Sequence, residues 1–123
     1  MKLQKCVTCG RDYPVDSFPA AGVIKGKFYR RRKCQECTWA VRKARRKSIR
    51  QWVIDYKKQC KCGHCGNGDY RVLEFHHKDS DKEFEIADAV RLGYSVSRIE
   101  KELRKCICLC ANCHRIEHYE EVN

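Results

Sequence analysis

Between residues 38 and 59, apolar side chains recur at a helical interval with no Gly or Pro to interrupt them. Trp39, Val41, Ala44, Ile49, Trp52, Val53 and Tyr56 form a broken stripe. Arg and Lys fill much of the remaining surface, so a long basic helix is predicted. The preceding segment, 1–37, is broken by Gly, Pro and other turn residues; within it Lys27-Phe28-Tyr29-Arg30-Arg31-Arg32 reads as a short strand with a basic face. The following segment, 60–123, changes rhythm several times. Arg71 to His77 alternates as a strand does. Glu83 to Leu92 reads as a helix stopped by Gly93. Ser95 or Ser97 caps a second helix, and Ser97 with Glu100 has capping-box spacing. Lys105 to Leu109 is a second strand, and a last helix opens at Cys110 and runs to about Glu120. The expected architecture is a small α+β chain in three segments: an N-terminal knuckle (1–37), a basic helix (38–59) and a C-terminal α+β domain (60–123).

A chain of 123 residues whose 42% hydrophobic content includes 11 Cys has little with which to build one large core. Small domains of this kind depend on disulfides or metals. No apolar leader follows Met1, and no run reaches the ~18 apolar residues of a membrane span. That pattern points to a cytoplasmic chain without a membrane partner, in which thiols stay reduced and Cys-x-x-Cys pairs read as zinc ligands. Cys6 and Cys9 with Cys34 and Cys37 make one four-cysteine set; Cys62 and Cys65 with Cys110 and Cys113 make a second. Four thiolates close a zinc site, so each Zn²⁺ would hold the fold and do no chemistry. Gly63 and Gly66 suit the tight turns of the second knuckle. Cys60, Cys106 and Cys108 read as small buried apolar residues, with Cys60 and Cys108 as alternatives to the ligands just named.

Charge narrows the partner. The formal net charge is +11, yet the window from Lys25 to Lys58 holds fourteen Lys/Arg against Glu36 and Asp55, a net of +12 that leaves the remainder at −1. One stretch therefore supplies the whole excess, which is the footprint of a nucleic-acid contact surface. Its candidate phosphate contacts are Arg30, Arg31, Arg32, Lys33, Arg42, Lys43, Arg45, Arg46, Lys47 and Arg50.

Histidine placement supplies the chemistry. His114 and His118 lie at i and i+4 on one helical face, directly behind Cys110-x-x-Cys113. His76 and His77 are neighbours on a strand and must point to opposite sides. One of that pair can join the helical histidines at a metal while the other faces elsewhere, separating a metal ligand from a free general base. Hydrolysis of a phosphodiester requires both. The remaining histidine, His64, lies inside the Cys62/Cys65 knuckle. His118 is open to a surface or capping role as well as to ligation.

Taken together, the Cys62/Cys65 knuckle, Phe75-His76-His77-Lys78-Asp79 and Leu109-Cys110-Ala111-Asn112-Cys113-His114-Arg115 resemble the HNH endonucleases, or ββα-metal nucleases, over roughly Cys62 to His118. The resemblance implies strand, loop, strand and helix around one divalent catalytic cation, with a structural zinc in the cysteine-bearing branch. It implies hydrolysis of DNA, expected to be double-stranded, to 5′-phosphate and 3′-hydroxyl ends. His76 would ligate the catalytic cation (Mg²⁺, or Mn²⁺, Ni²⁺ or Zn²⁺), His114 would be the second ligand and His118 the third. His77 would be the general base; Arg115 and Lys78, read from their charge alone, are candidates either for phosphate contact or for ordinary surface charges. Such a chain suits a phage or mobile-element nuclease of the homing type, in a prokaryotic or phage-infected cell.

One position departs from that family. Its middle Asn, which braces the loop holding the base, is Lys105 here, and a Lys lacks the paired donor and acceptor of an amide. Either another residue orients His77 or the base is held less firmly. Asn112, within the knuckle, reads as stabilising the zinc turn. The long insertion from Lys78 to Lys105 is expected to shape the rim of the site. Lys105 also motivates a different class: a non-catalytic, zinc-dependent nucleic-acid-binding regulator on a degenerate HNH fold. A purely structural zinc adaptor would explain the cysteines but neither the histidines nor the basic stretch.

Overall fold

Turn residues in the first segment cut its chain into short antiparallel ladders; the computed structural model describes residues 2–122. Strand β1 (Leu3–Lys5) pairs with β2 (Asp12–Pro14), setting Gln4 opposite Tyr13. Strand β3 (Ala20–Ile24) pairs with β4 (Lys27–Arg30) across a two-residue turn in which Lys25 and Gly26 both have positive φ, 51° and 79°. Turns with two positive φ match the twist of a hairpin, and Gly takes that conformation without strain. The small core beneath is Phe18 with Cys6 and Cys34, flanked by Tyr13 and Cys37. Phe18 and Tyr13 meet edge to face at 6.2 Å. Val23, Ile24 and Phe28 on the hairpin are exposed.

Helix α1 spans Gln35–Lys58 and begins before the predicted residue 38, inside the Cys34/Cys37 pair. The predicted stripe is used only in its later half. Ile49 and Val53 are buried and Trp52 and Tyr56 pack beside them, whereas Trp39 and Val41 are exposed. The expected middle segment, 38–59, is not a separate body. The chain divides within α1 into two compact units, Met1–Arg45 and Arg46–Asn123.

In the second unit, β5 (Leu73–His77) pairs antiparallel with β6 (Cys106–Cys110), placing Phe75 opposite Cys108 and His76 opposite Ile107. Helix α4 (Ala111–Val122) follows β6 directly. The insertion between the strands holds α2 (Ile86–Leu92) and α3 (Val96–Leu103). Ile86, Ala89, Ile99 and Leu103 from these helices close a core with Ile49 and Val53 of α1, and Phe75 packs against it. Helix α2 starts later than Glu83, because the Glu83 N–H is given to the Glu102 carboxylate (2.9 Å) and Phe84 turns to meet Tyr94 edge to face. It ends, as predicted, at Gly93 with φ 75°. Ser95 is the cap of α3, its Oγ accepting the Arg98 N–H at 3.2 Å; Ser97 lies inside the helix and its capping-box spacing is not used. No helix among the described residues is long and apolar enough to cross a membrane.

Candidate metal centres

The first unit gathers the sulfurs of Cys6, Cys9, Cys34 and Cys37 within 4.8 Å of one another, and the second gathers those of Cys62, Cys65, Cys110 and Cys113. The chain thus carries two four-cysteine clusters that can hold zinc. Their sulfur spacings fit that ion. Four sulfurs about 2.3 Å from a tetrahedral zinc stand about 3.8 Å apart. Cys9 and Cys34 Sγ are 3.9 Å apart, and Cys65 and Cys110 Sγ are 3.7 Å apart. A disulfide would need about 2.05 Å. Cys60 and Cys108 belong to neither cluster, so the alternative ligand assignments fall away; Cys60 Sγ instead donates to the Tyr56 carbonyl.

Local backbone prepares each cluster for anionic sulfur. Burial acts to raise the Cys6 thiol, but N–H groups of Cys34, Cys9 and Thr8 outweigh it and bring it down to about 6. Burial likewise acts to raise the Cys62 thiol, but the N–H groups of Cys65, Cys110 and His64 outweigh it and bring it down to about 5. The neighbouring thiols shift in the other direction. Cys37, hydrogen-bonded to Cys34 and desolvated, is pushed up to about 12, and Cys113, beside Cys110 and Cys62, also reaches about 12. Four crowded thiols cannot all ionise unless a cation joins them, and a divalent one meets that demand. Gly66, with φ 78°, returns its N–H to the Cys62 carbonyl at 2.9 Å, and Gly63 ties this knuckle to β6 through the Cys108 carbonyl at 2.8 Å.

Strand alternation sends the two adjacent histidines to different surroundings. His76, only 6% exposed, meets α4: its ring centroid is 5.1 Å from that of His114 and 5.0 Å from that of His118. One ring nitrogen from each of the three lies within 4.8 Å of the others. His114 and His118 Nε2 are 3.0 Å apart, close to the spacing of about 3.0 Å between adjacent ligands of an octahedral cation at 2.1 Å. Glu74, on the same strand face as His76, accepts the His114 Nδ1–H at 2.6 Å, which leaves Nε2 as the ligating nitrogen. His76 also has acidic company: its Nε2 is 2.9 Å from Glu121, and His76, Glu117 and Glu121 form a second set of donors within 4.8 Å. Neither glutamate was singled out in the sequence, although both lie on the α4 face of His114 and His118 at helical spacing. His64 pairs with Glu117 at 3.7 Å and is not among the clustered histidines.

His77 faces the opposite way. Its Nε2 lies 3.0 Å from Glu102 Oε1, and its side chain is 8% exposed. Glu102, 2% exposed, also accepts the Glu83 N–H at 2.9 Å and an ion pair from Lys105 at 3.1 Å. Burial alone would raise this carboxyl, but those contacts hold it below the ordinary range. Lys105 further donates to the Asp81 carbonyl at 2.8 Å, and its own carbonyl accepts from Lys78 N–H, closing the neck of the insertion.

The basic residues are mostly on the surface. Arg31, Arg32, Lys33, Arg42, Lys43, Arg46, Lys47 and Arg50 are exposed, as is Arg45, whereas Arg30 is half-buried and donates to the Phe18 carbonyl at 2.9 Å. In the second unit a cavity of about 750 Å³ is lined by Arg46, Arg50, Lys57 and Arg91 and reaches Glu74 and His114. A smaller one, about 490 Å³, joins His114 and His118 to Asn112 and Arg115. Asn112 is exposed there and makes no hydrogen bond that would brace the zinc turn among the described residues.

No protein-family model matches the chain, and neither a curated protein nor a solved structure matches it.

Proposed function

We propose that the protein is a metal-dependent endonuclease of the HNH type, hydrolysing DNA phosphodiester bonds. The observation that carries this reading is the convergence of His76, His114 and His118 on one strand–strand–helix unit, with His114 fixed by Glu74. A divalent cation held by these imidazoles would neutralise charge on the phosphoryl group and the leaving oxygen. His77, its Nε2 engaged by Glu102, carries no hydrogen bond on Nδ1 among the described residues, so Nδ1 is the nitrogen for proton transfer. It takes a proton from water, the water oxygen bonds to phosphorus, and the bond to the 3′ oxygen breaks. Glu102 stabilises the imidazolium that results, with Lys105 balancing the carboxylate from the other side. In this reading Glu102 does the bracing that the missing Asn does elsewhere. Arg46, Arg50 and Lys57 hold the strand beside His114, and Arg115 adds a contact at the second cavity.

The burial of His77 favours one other reading, a nucleic-acid-binding regulator that has kept the fold and lost catalysis. Supercoiled plasmid separates the two. Zinc-loaded protein with Mg²⁺, Mn²⁺ or Ni²⁺ should nick it, and folded, DNA-binding His77→Ala should not. Salt-sensitive binding without cutting, on plasmid and on genomic DNA alike, would select the regulator.

A further inference from the structure

The first unit holds a cavity that the nuclease reading leaves unused. It measures about 510 Å³ and is lined by Arg30, Arg31, Arg32, Lys33, Thr38 and Arg42, with Val7, Ala21 and Val41 as apolar wall. No acidic residue lines it; Glu36, in the same helical turn as Thr38, is outside the lining. Thr38 sits in the first turn of α1, a helix of 24 residues, where backbone N–H groups and the helix dipole favour an anion. The residue is 8% exposed, and its Oγ1 is the buried side-chain oxygen that lacks any hydrogen-bond partner among the described residues. An orphaned buried hydroxyl is unfavourable and calls for an explanation.

We propose that this cavity seats a phosphate group of a nucleic acid, with Thr38 donating its hydroxyl proton to a phosphate oxygen. Arg32, Lys33 and Arg42 supply the neutralising charge, and Val7, Ala21 and Val41 face the adjoining sugar. The seat rests on the reading that the chain binds DNA, and it adds a fixed anchoring point in the N-terminal unit. Arg and Lys alone would track any polyanion; a buried hydroxyl donor fixes where one phosphate stops.

The test is duplex binding by the zinc-loaded full chain without other divalent cations, read by fluorescence anisotropy over a range of salt. Two short duplexes of one sequence are used, one ending in 5′-hydroxyls and one in 5′-phosphates. Thr38→Val keeps the shape and removes the donor. It should weaken binding about tenfold while leaving the thermal midpoint unchanged or higher, and Thr38→Ser should restore affinity. Arg42→Gln should reduce the salt slope by roughly one. An equal loss on both duplexes assigns the seat to an internal phosphodiester, and a loss confined to the phosphorylated duplex assigns it to a terminal phosphate. Wild-type affinity for Thr38→Val on both duplexes, or a loss matched by a lower thermal midpoint, overturns the seat alone. A wild-type protein that binds neither duplex overturns it together with the DNA-binding reading, and cleavage has no part in the result.

Discussion

His77 Nε2 and Glu102 Oε1 lie 3.0 Å apart in a place almost closed to solvent, and the other carboxylate oxygen is held by Lys105. A buried carboxylate with one imidazole, one backbone N–H and one ammonium around it is nearly saturated, so removing any partner leaves charge uncompensated. The arrangement spans β5, the insertion and α3. It joins the end of the histidine strand to the helix that closes the core.

Glu102→Gln tests this network. It preserves volume but cannot balance Lys105, and one amide nitrogen must face a donor. The expected cost is about 2 kcal/mol in urea unfolding of the zinc-loaded protein. Under the nuclease reading, cleavage falls further than DNA binding does, and the His77 ring populates both tautomers by ¹⁵N NMR. Unchanged stability would show that the three partners do not act on one ionised carboxylate.

Glu74→Gln tests the other histidine contact. A carboxylate that accepts from the non-ligating nitrogen fixes the ring and makes it a better donor, and losing such a partner typically weakens metal binding about 10- to 100-fold. Co²⁺ or Ni²⁺ titrated into protein whose thiolate clusters already hold zinc should bind weaker by about that factor. Equal affinity in wild type and variant would remove Glu74 from any role at the three-histidine cluster.

Much of this was legible because it is local. Each Cys-x-x-Cys pair is written within four residues, and strand alternation alone separates His76 from His77. The i, i+4 spacing put His114 and His118 on one face. What could not be read depends on long-range pairing. Glu102 looks like an ordinary helical charge until the fold brings it against His77, and Glu121 is 45 residues from the His76 it touches. The apolar stripe of α1 misled for a related reason: periodicity marks a face, but only Ile49 and Val53 became buried, while Trp39 and Val41 stay outside the small core of Phe18, Cys6 and Cys34 in their own unit. Two serines two residues apart offered the same cap chemistry, and the backbone after Gly93 settled on Ser95.

Ile99→Ala separates the two units energetically. Ile99 is fully buried among Ile49, Val53, Ile86 and Leu103, and its truncation should cost about 3 kcal/mol. The N-terminal cysteine cluster lies in the other unit with its own core around Phe18. Cobalt bound at Cys6, Cys9, Cys34 and Cys37 should therefore keep its thiolate charge-transfer spectrum in the variant at denaturant concentrations that unfold the second unit. Loss of both spectra in one transition would show that the units unfold together.

Proton competition provides the last test. The folded Cys62 thiol lies at about 5 against an ordinary value of 9.0, so across that interval the folded chain holds fewer protons there than the unfolded one. Ionised Cys62 therefore favours folding fully above about pH 9, by less as pH falls, and not at all below about 5. Cys6, at about 6, behaves the same way in the first cluster. Cys37 and Cys113, near 12, carry their protons at neutral pH until a cation displaces them. Zinc binding at about pH 7 should thus expel fewer than four protons per site, measurable by calorimetry in buffers of different ionisation heat. Affinity should fall with falling pH and do so more steeply once the pH approaches 6 in the first site and 5 in the second. Release of a full four protons per site at pH 7 would mean that the backbone N–H groups around Cys6 and Cys62 do not hold those sulfurs as thiolates.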